Sequence, residues 1–183
     1  MRALPTLLLA CWATLLLLTA RPASAATPVS SVPELELSRY AGQWYEIAHL
    51  PMSFQRQCAG DITASYALRA DGSIEVRNAC RTRDGRRAEA DGVARTVEGH
   101  PGRLQVSFVP RWLSWVPLVW ADYWVIALDP DYQWAMIGDP DREYLWILSR
   151  EPSMDAELFE RLKARAGEMG YDLAPLVVAA PLR

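Results

Sequence analysis

The chain has 183 residues, an apolar fraction of 51% and a formal net charge of -3, which is enough for one domain with a substantial core. It contains no run of Lys or Arg and no basic stripe, so we expect no nucleic-acid partner. No internal repeat of 20–50 residues is visible.

Residues 1–25 have the pattern of a secretory signal peptide. Arg2 gives a positive start, residues 7–18 are an apolar stretch, and Ala23-Ser24-Ala25 forms an A-x-A cleavage site. There are two alternatives: an uncleaved membrane anchor, or a lipoprotein carrying its lipid on Cys11, because residues 8–11 resemble a lipobox. We expect export with cleavage after Ala25, which would leave 158 residues (183 − 25).

Two cysteines, Cys58 and Cys80, would remain after that cleavage. Two cysteines in an exported chain favour a single disulfide. Their spacing is not CxxC, so we expect neither a redox motif nor a zinc site.

The mature chain begins with an extended tail, predicted over residues 26–36, which are rich in Pro, Ser and Val. The folded domain is expected over residues 37–183. Alternating apolar residues and turn signals such as Asp71-Gly72 predict an antiparallel meander, whose closure into a barrel would remove its edges. The predicted strands are residues 43–50, 61–68, 73–81, 87–96, 103–109, 122–129, 133–138 and 143–150.

After the strands the apolar period changes to that of a helix of about sixteen residues. Ser153 is the predicted N-cap, with Asp155 and Glu157 in the first turn, and Gly170 is the predicted stop. Residues 173–178 are predicted to form a short strand beside it. The apolar stripe, which should pack the helix on the outside of the barrel, comprises Met154, Leu158, Leu162, Ala166 and Met169.

Three sequence blocks carry a resemblance to a known family. The first is Gly42-Gln43-Trp44-Tyr45-Glu46-Ile47, the second is Asp122-Tyr123 before residues 124–129, and the third is residues 145–150, ending in Arg150. Together they resemble the lipocalin family over residues 37–178, and within it the bacterial outer-membrane and apolipoprotein D group. The second block has Ala121 where the family pattern has a threonine.

The resemblance implies an all-β fold. Its expected form is an eight-stranded antiparallel up-and-down β-barrel with one C-terminal α-helix packed outside. It also implies that Gly42, Trp44 and Arg150 close the barrel floor as structural residues, while the other end stays open for a ligand.

Alternation along the strands, together with the resemblance, predicts the residues of the ligand-binding wall. This wall is apolar, with a few hydroxyls and no cationic cluster, so it suits an acyl chain. The predicted ligand-binding residues are Ala48, Leu50, Ile62, Ala64, Tyr66, Val76, Val106, Phe108, Tyr123, Val125, Ala127, Trp146 and Leu148.

The resemblance therefore implies binding, storage or transport of a fatty acid or lysophospholipid in the bacterial cell envelope. The expected location is the periplasm, in association with the outer membrane, and the expected state is a monomer or weak homodimer without cofactor or metal. His49 and His100 lie on separate segments, and an inward Glu46 is more typical of a hydrogen-bonded structural group than of a general acid, so we expect no enzyme. Two alternatives stay open: an enzyme acting on a hydrophobic substrate, and a ligand-free interaction protein of the envelope.

The segment 112–120 is unusual because it holds three tryptophans, Trp112, Trp115 and Trp120, between prolines that argue against a regular strand or helix. One interpretation is a loop folded on its own apolar residues. The other is a lip at the barrel mouth that admits ligand or touches a membrane, since tryptophan favours membrane interfaces. Of the two, we favour the lip.

Overall fold

A computed structural model of the chain describes residues 27–113 and 115–183. The predicted signal peptide and Cys11 lie outside the described residues. Eight strands follow one another along the chain, close to the bounds that alternation predicts. They are β1 Gly42–His49, β2 Cys58–Leu68, β3 Ile74–Thr82, β4 Arg87–Val97, β5 His100–Ser107, β6 Ala121–Leu128, β7 Trp134–Gly138 and β8 Leu145–Ser149.

Each strand pairs antiparallel with the next, and β1 pairs with both β8 and β2. This double pairing closes the sheet into an up-and-down barrel without open edges between these strands. A short ninth strand, β9 (Val177–Val178), adds to β1 beside Ala48 and His49. The predicted eight-stranded barrel is therefore confirmed.

Buried apolar residues form two clusters, one inside the barrel and one on its outer surface. The interior cluster includes Trp44, Tyr66 and Val125. The outer cluster places Ile47 of β1 and Ile147 of β8 under a C-terminal helix. The two clusters correspond to opposite faces of the strands, as the alternation of side chains requires.

The C-terminal helix, α2 (Ala156–Glu168), packs on the outside of the barrel through Phe159, Leu162 and Ala166. Its N-cap is Asp155, whose carboxylate accepts a hydrogen bond of 2.8 Å from the backbone N–H of Leu158. The prediction that Ser153 caps the helix is wrong, because the helix starts two residues later. The predicted stop holds, since Gly170 has a positive φ of 86° that favours glycine.

Two β-bulges correct part of the predicted interior. Pairing of β1 with β8 shifts register between Glu46 and Ala48, and pairing of β6 with β7 shifts between Val125 and Ala127. An extra residue reverses the face of every side chain beyond it. Ala48, Leu50 and Ala127 therefore join the outer cluster under α2, and their predicted interior position is wrong.

The tail before the barrel contains no strand or helix over residues 27–36, and it lies against the barrel. The Val32 N–H donates to the Val125 carbonyl at 2.8 Å, and Val32 and Leu35 pack against the interior cluster. A four-residue helix, α1 (Leu37–Tyr40), then leads into β1 across one end of the barrel.

Candidate functional site

The closed end of the barrel is built around Trp44, which is fully buried. Its indole N–H donates to the Tyr40 carbonyl at 2.8 Å, and the Arg150 guanidinium lies 3.8 Å above the ring centroid. A cation over an indole face is attracted by the ring quadrupole. The geometry is that of a floor plugged by a stacked Trp–Arg pair.

Arg150 also donates hydrogen bonds to the backbone that crosses this end. Its two terminal nitrogens reach the carbonyl oxygens of Gln43 and Arg39 at 2.7 Å and that of Ala41 at 2.9 Å. Gly42 fits beneath the guanidinium, since its φ is 96° and an added Cβ would lie 3.3 Å from an Arg150 nitrogen. Burial lowers the pKa of the Arg150 guanidinium from its usual value.

Above the floor, the hydroxyl groups of three tyrosines are joined by hydrogen bonds inside the barrel. The Tyr123 hydroxyl lies 2.7 Å from that of Tyr40 and 2.8 Å from that of Tyr66. Burial raises the pKa of all three phenols, and for Tyr66 it raises the pKa to about 12. The group presents neutral hydroxyls, satisfied by one another, at the base of the interior.

A cavity of about 450 Å³ occupies the rest of the interior. Its wall is mainly apolar, and it reaches the connections β1–β2, β5–β6 and β7–β8, which by the antiparallel topology lie at the end opposite Trp44. The barrel thus holds one pocket with a closed floor and an open mouth, the form typical of small hydrophobic-ligand sites.

Nine of the thirteen predicted ligand-binding residues line this cavity. Val125 belongs to the interior cluster but does not line the cavity, and Ala48, Leu50 and Ala127 lie outside for the reason given above. The nine are Ile62, Ala64, Tyr66, Val76, Val106, Phe108, Tyr123, Trp146 and Leu148. Their contact with a ligand stays a prediction.

The β1–β2 connection contributes lining residues that sequence reasoning missed. Phe54 and Gln55 sit on a 3-10 turn, Ser53–Gln55, that folds over the mouth against β8. The Phe54 ring lies 6.1 Å from that of Tyr144, which stacks at 5.9 Å on Trp146. No periodicity marks such a loop, so the sequence gives no signal that places Phe54 and Gln55 at the cavity.

A disulfide between Cys58 and Cys80 holds the same connection to β3, as predicted. Both cysteines line the cavity. By the chain-entropy model, a bridge that closes a loop of this size stabilises the fold by roughly 3 kcal/mol.

The mouth carries a set of exposed apolar side chains, here called the apolar rim: Phe54, Phe108, Trp112, Trp115 and Leu118. The exposed fractions of Trp112, Trp115 and Leu118 are 72%, 78% and 95%. Trp120, which sequence reasoning grouped with the other two tryptophans, is only half-exposed and stacks on Arg95 at 4.0 Å. Exposed apolar patches of this kind mark contact surfaces.

No group of three or more His, Cys, Asp or Glu within residues 27–113 and 115–183 could hold a metal ion. Neither described helix has the length and hydrophobicity of a membrane-spanning segment.

A closed barrel with a plugged floor, an open mouth and an apolar interior is the architecture of β-barrel proteins that bind small hydrophobic ligands. The sequence profile described as "Lipocalin-like domain" matches residues 35–181. The chain therefore belongs to the lipocalin family.

Several relatives share enough sequence to support this placement. Temperature-induced lipocalin-1 of Arabidopsis thaliana is 43% identical over 148 residues, covering 79% of this chain and 78% of the relative. Outer membrane lipoprotein Blc of Escherichia coli K12 is 37% identical over 152 residues, covering 81% of each chain. Mouse apolipoprotein D is 30% identical over 146 residues, covering 75% of this chain and 72% of the relative.

Solved structures agree on the fold. Insecticyanin from the tobacco hornworm superposes with a TM-score of 0.64 at 21% identity, covering 86% of this chain and 89% of that one. Apocrustacyanin C1 superposes with a TM-score of 0.61 at 16% identity, covering 81% of each chain. At these identities the likeness is one of fold alone.

Proposed function

We propose that this lipocalin binds and carries one single-chain lipid, a fatty acid or a lysophospholipid, with the acyl chain in the barrel. The observation that carries the proposal is the 450 Å³ apolar cavity above a floor sealed by Trp44 and Arg150. Each CH₂ that leaves water for such a cavity contributes roughly 0.8 kcal/mol. About ten would contribute roughly 8 kcal/mol before ordering costs, so we expect micromolar affinity.

We place this role in the bacterial cell envelope, after export and loss of the first 25 residues. Two features support the location: the leader-like sequence of residues 1–25 and the relatives named outer membrane lipoprotein. We propose no catalytic step and no cofactor, and expect a monomer or weak homodimer.

The test is mass spectrometry of lipids extracted from protein purified out of its native envelope, followed by titration of delipidated protein with a lysophospholipid and a fatty acid. The proposal expects a co-purified single-chain lipid and uptake of one molecule per chain. Lipid-free protein that takes up neither ligand would contradict it and favour the ligand-free interaction protein.

We also propose that the apolar rim touches the membrane surface from which the ligand is taken. Trp112, Trp115 and Leu118 stand beside Val119, which lines the cavity, so a lipid leaving a bilayer would meet the rim and the cavity in turn. Aromatic side chains are favourable at that interface.

Changing Trp112 and Trp115 together to Ser should weaken vesicle binding by at least about tenfold, because each aromatic side chain contributes roughly 1.5–3 kcal/mol when buried. The melting temperature should hardly change, since both side chains are exposed. The matched control is Leu68→Ser, which removes an exposed apolar residue at the far end of β2. Equal vesicle binding by the double variant and the wild type would refute the membrane contact.

A further inference from the structure

One carboxylate is built into the wall of the apolar cavity. Glu46 lies on the interior face of β1, lines the cavity and is only 6% exposed. The other acidic lining residues, Glu89 and Asp122, are exposed near the mouth, and Glu89 is paired with Arg87 at 2.6 Å. None of the described residues that line the cavity is Arg, Lys or His.

The surrounding side chains hold Glu46 in place. The Gln55 side-chain N–H₂ donates to both carboxylate oxygens, at 2.7 and 2.8 Å. His49 Nδ1 lies 2.5 Å from Glu46 Oε1, although in a direction that does not form a regular hydrogen bond. A carboxylate can accept about four hydrogen bonds, so Glu46 keeps acceptor capacity after these contacts.

The cavity presents a second acceptor. Asn78 also lines it, and its side-chain oxygen is buried without a hydrogen-bond partner among the described residues. A buried acceptor without a donor costs free energy until something donates to it. Glu46 on β1 and Asn78 on β3, with β2 between them, each give the apolar wall a hydrogen-bond acceptor, and Glu46 adds a carboxylate.

Two arginines near the mouth are held by surface carboxylates. Arg86 is paired with Asp84 at 2.6 Å, and Arg81 with Asp61 at 2.7 Å, both on the surface. A ligand that fills the cavity displaces water from Glu46, which makes the charge harder to accommodate. An anionic head group would add repulsion at short range, whereas an ammonium or hydroxyl group would donate to the free acceptors.

We propose that Glu46 and Asn78 form a polar subsite that selects single-chain amphiphiles with a cationic or hydrogen-bond-donating head group and disfavours free fatty acid anions. The inference rests on the proposed function and narrows its ligand class. Within that function, the free fatty acid becomes the weaker ligand.

The experiment uses three probes with the same alkyl chain, decylammonium, decanol and decanoate, each below its micelle-forming concentration at pH 7.5. Wild-type protein should bind decylammonium most tightly and decanoate at least about tenfold more weakly. Glu46→Gln should bring the affinities for decylammonium and decanoate close together, because it removes the charge and keeps the shape. Asn78→Ala should weaken decanol binding and leave the preference for decylammonium over decanoate.

The matched control is Glu89→Gln, which removes one negative charge from the mouth outside the subsite and should preserve the wild-type order. If wild type binds decanoate as tightly as decylammonium, the subsite is wrong while the carrier function stands. If wild type binds none of the three probes, the carrier function itself is wrong. The wild-type order decides the proposal even if Glu46→Gln does not fold.

Discussion

Arg150 makes both a stacking contact and several hydrogen bonds at the closed end of the barrel. The family resemblance implied its place with Trp44 at the barrel floor, and a guanidinium can stack on an indole. Its hydrogen bonds to the carbonyls of Arg39, Ala41 and Gln43 were not predictable, because they depend on how α1 crosses the barrel. The Arg150 guanidinium thus supplies the hydrogen-bond donors for backbone carbonyls in this segment.

Arg150→Ala should therefore lower the free energy of unfolding by about 2–4 kcal/mol, because it removes a stacked cation and leaves several carbonyls without a donor. Ligand affinity measured well below the melting temperature should hardly change, since Arg150 does not line the cavity. Chemical denaturation of this variant measures the loss of stability, and ligand titration of the same variant measures the affinity. A large loss of affinity at unchanged stability would contradict the structural role.

The tyrosine group predicts a dependence of stability on alkaline pH. An unfolded phenol ionises near pH 10, whereas burial keeps Tyr66 protonated until about pH 12. Above pH 10 the folded state holds more protons, so raising the pH favours unfolding. The contribution of Tyr66 is complete below pH 10 and is lost between about pH 10 and 12.

Between pH 10 and 12 the free energy of unfolding should fall less steeply with rising pH in Tyr66→Phe than in wild type. The difference in slope should be about 1.4 kcal/mol per pH unit. Denaturation curves at pH 9, 10, 11 and 12 measure it. Tyr45→Phe, which removes a hydroxyl outside the group, is the control. Identical pH slopes for Tyr66→Phe and wild type would refute the coupling.

The positions of the strands were more predictable from the sequence than which side chains of each strand point into the barrel. Alternation finds all eight barrel strands because one face of each must be apolar. It fails beyond Glu46 in β1 and beyond Val125 in β6, since a bulge adds one residue without a sequence signal strong enough to reveal it. In β6 the residues beyond the bulge, Ile126, Ala127 and Leu128, are all apolar, so polarity could not show the shift there.

The start of α2 offers a test at the scale of one element. Asp155→Ala should lower the free energy of unfolding by about 1 kcal/mol, because it removes the acceptor for the Leu158 N–H and a negative charge at the helix N-terminus. Ser153→Ala should have an effect near zero, as Ser153 lies outside the helix. Thermal melting of the two variants distinguishes them, and equal losses would count against Asp155 as the cap.

Across the whole molecule, the barrel, its floor, the disulfide and nine residues of the cavity wall were predicted from the sequence. These follow from strand alternation, from the resemblance to the family, or from a pair of rare residues, Cys58 and Cys80. The mouth was less predictable: Gln55 and Phe54 come from an irregular connection, and the hydrogen bonds of Gln55 to Glu46 depend on the way that connection folds back. The mouth is therefore the least predictable part of the candidate site, because its contacts come from loops held by a rigid barrel.

The proposed function requires the ligand's acyl chain to occupy the cavity inside the barrel. The most direct measurement is titration of delipidated protein with a lysophospholipid, comparing wild type with Ala90→Trp. Ala90 lines the cavity and is exposed to it, so a tryptophan there fills the space without crowding the core. Ala67→Trp, at an exposed position of β2, is the control that adds the same ring outside the cavity.

We predict uptake of one lysophospholipid per chain by wild type and Ala67→Trp, and at least about tenfold weaker binding by Ala90→Trp with its melting temperature retained. Equal binding by all three folded proteins would contradict the account, because it would place the ligand somewhere other than the barrel interior.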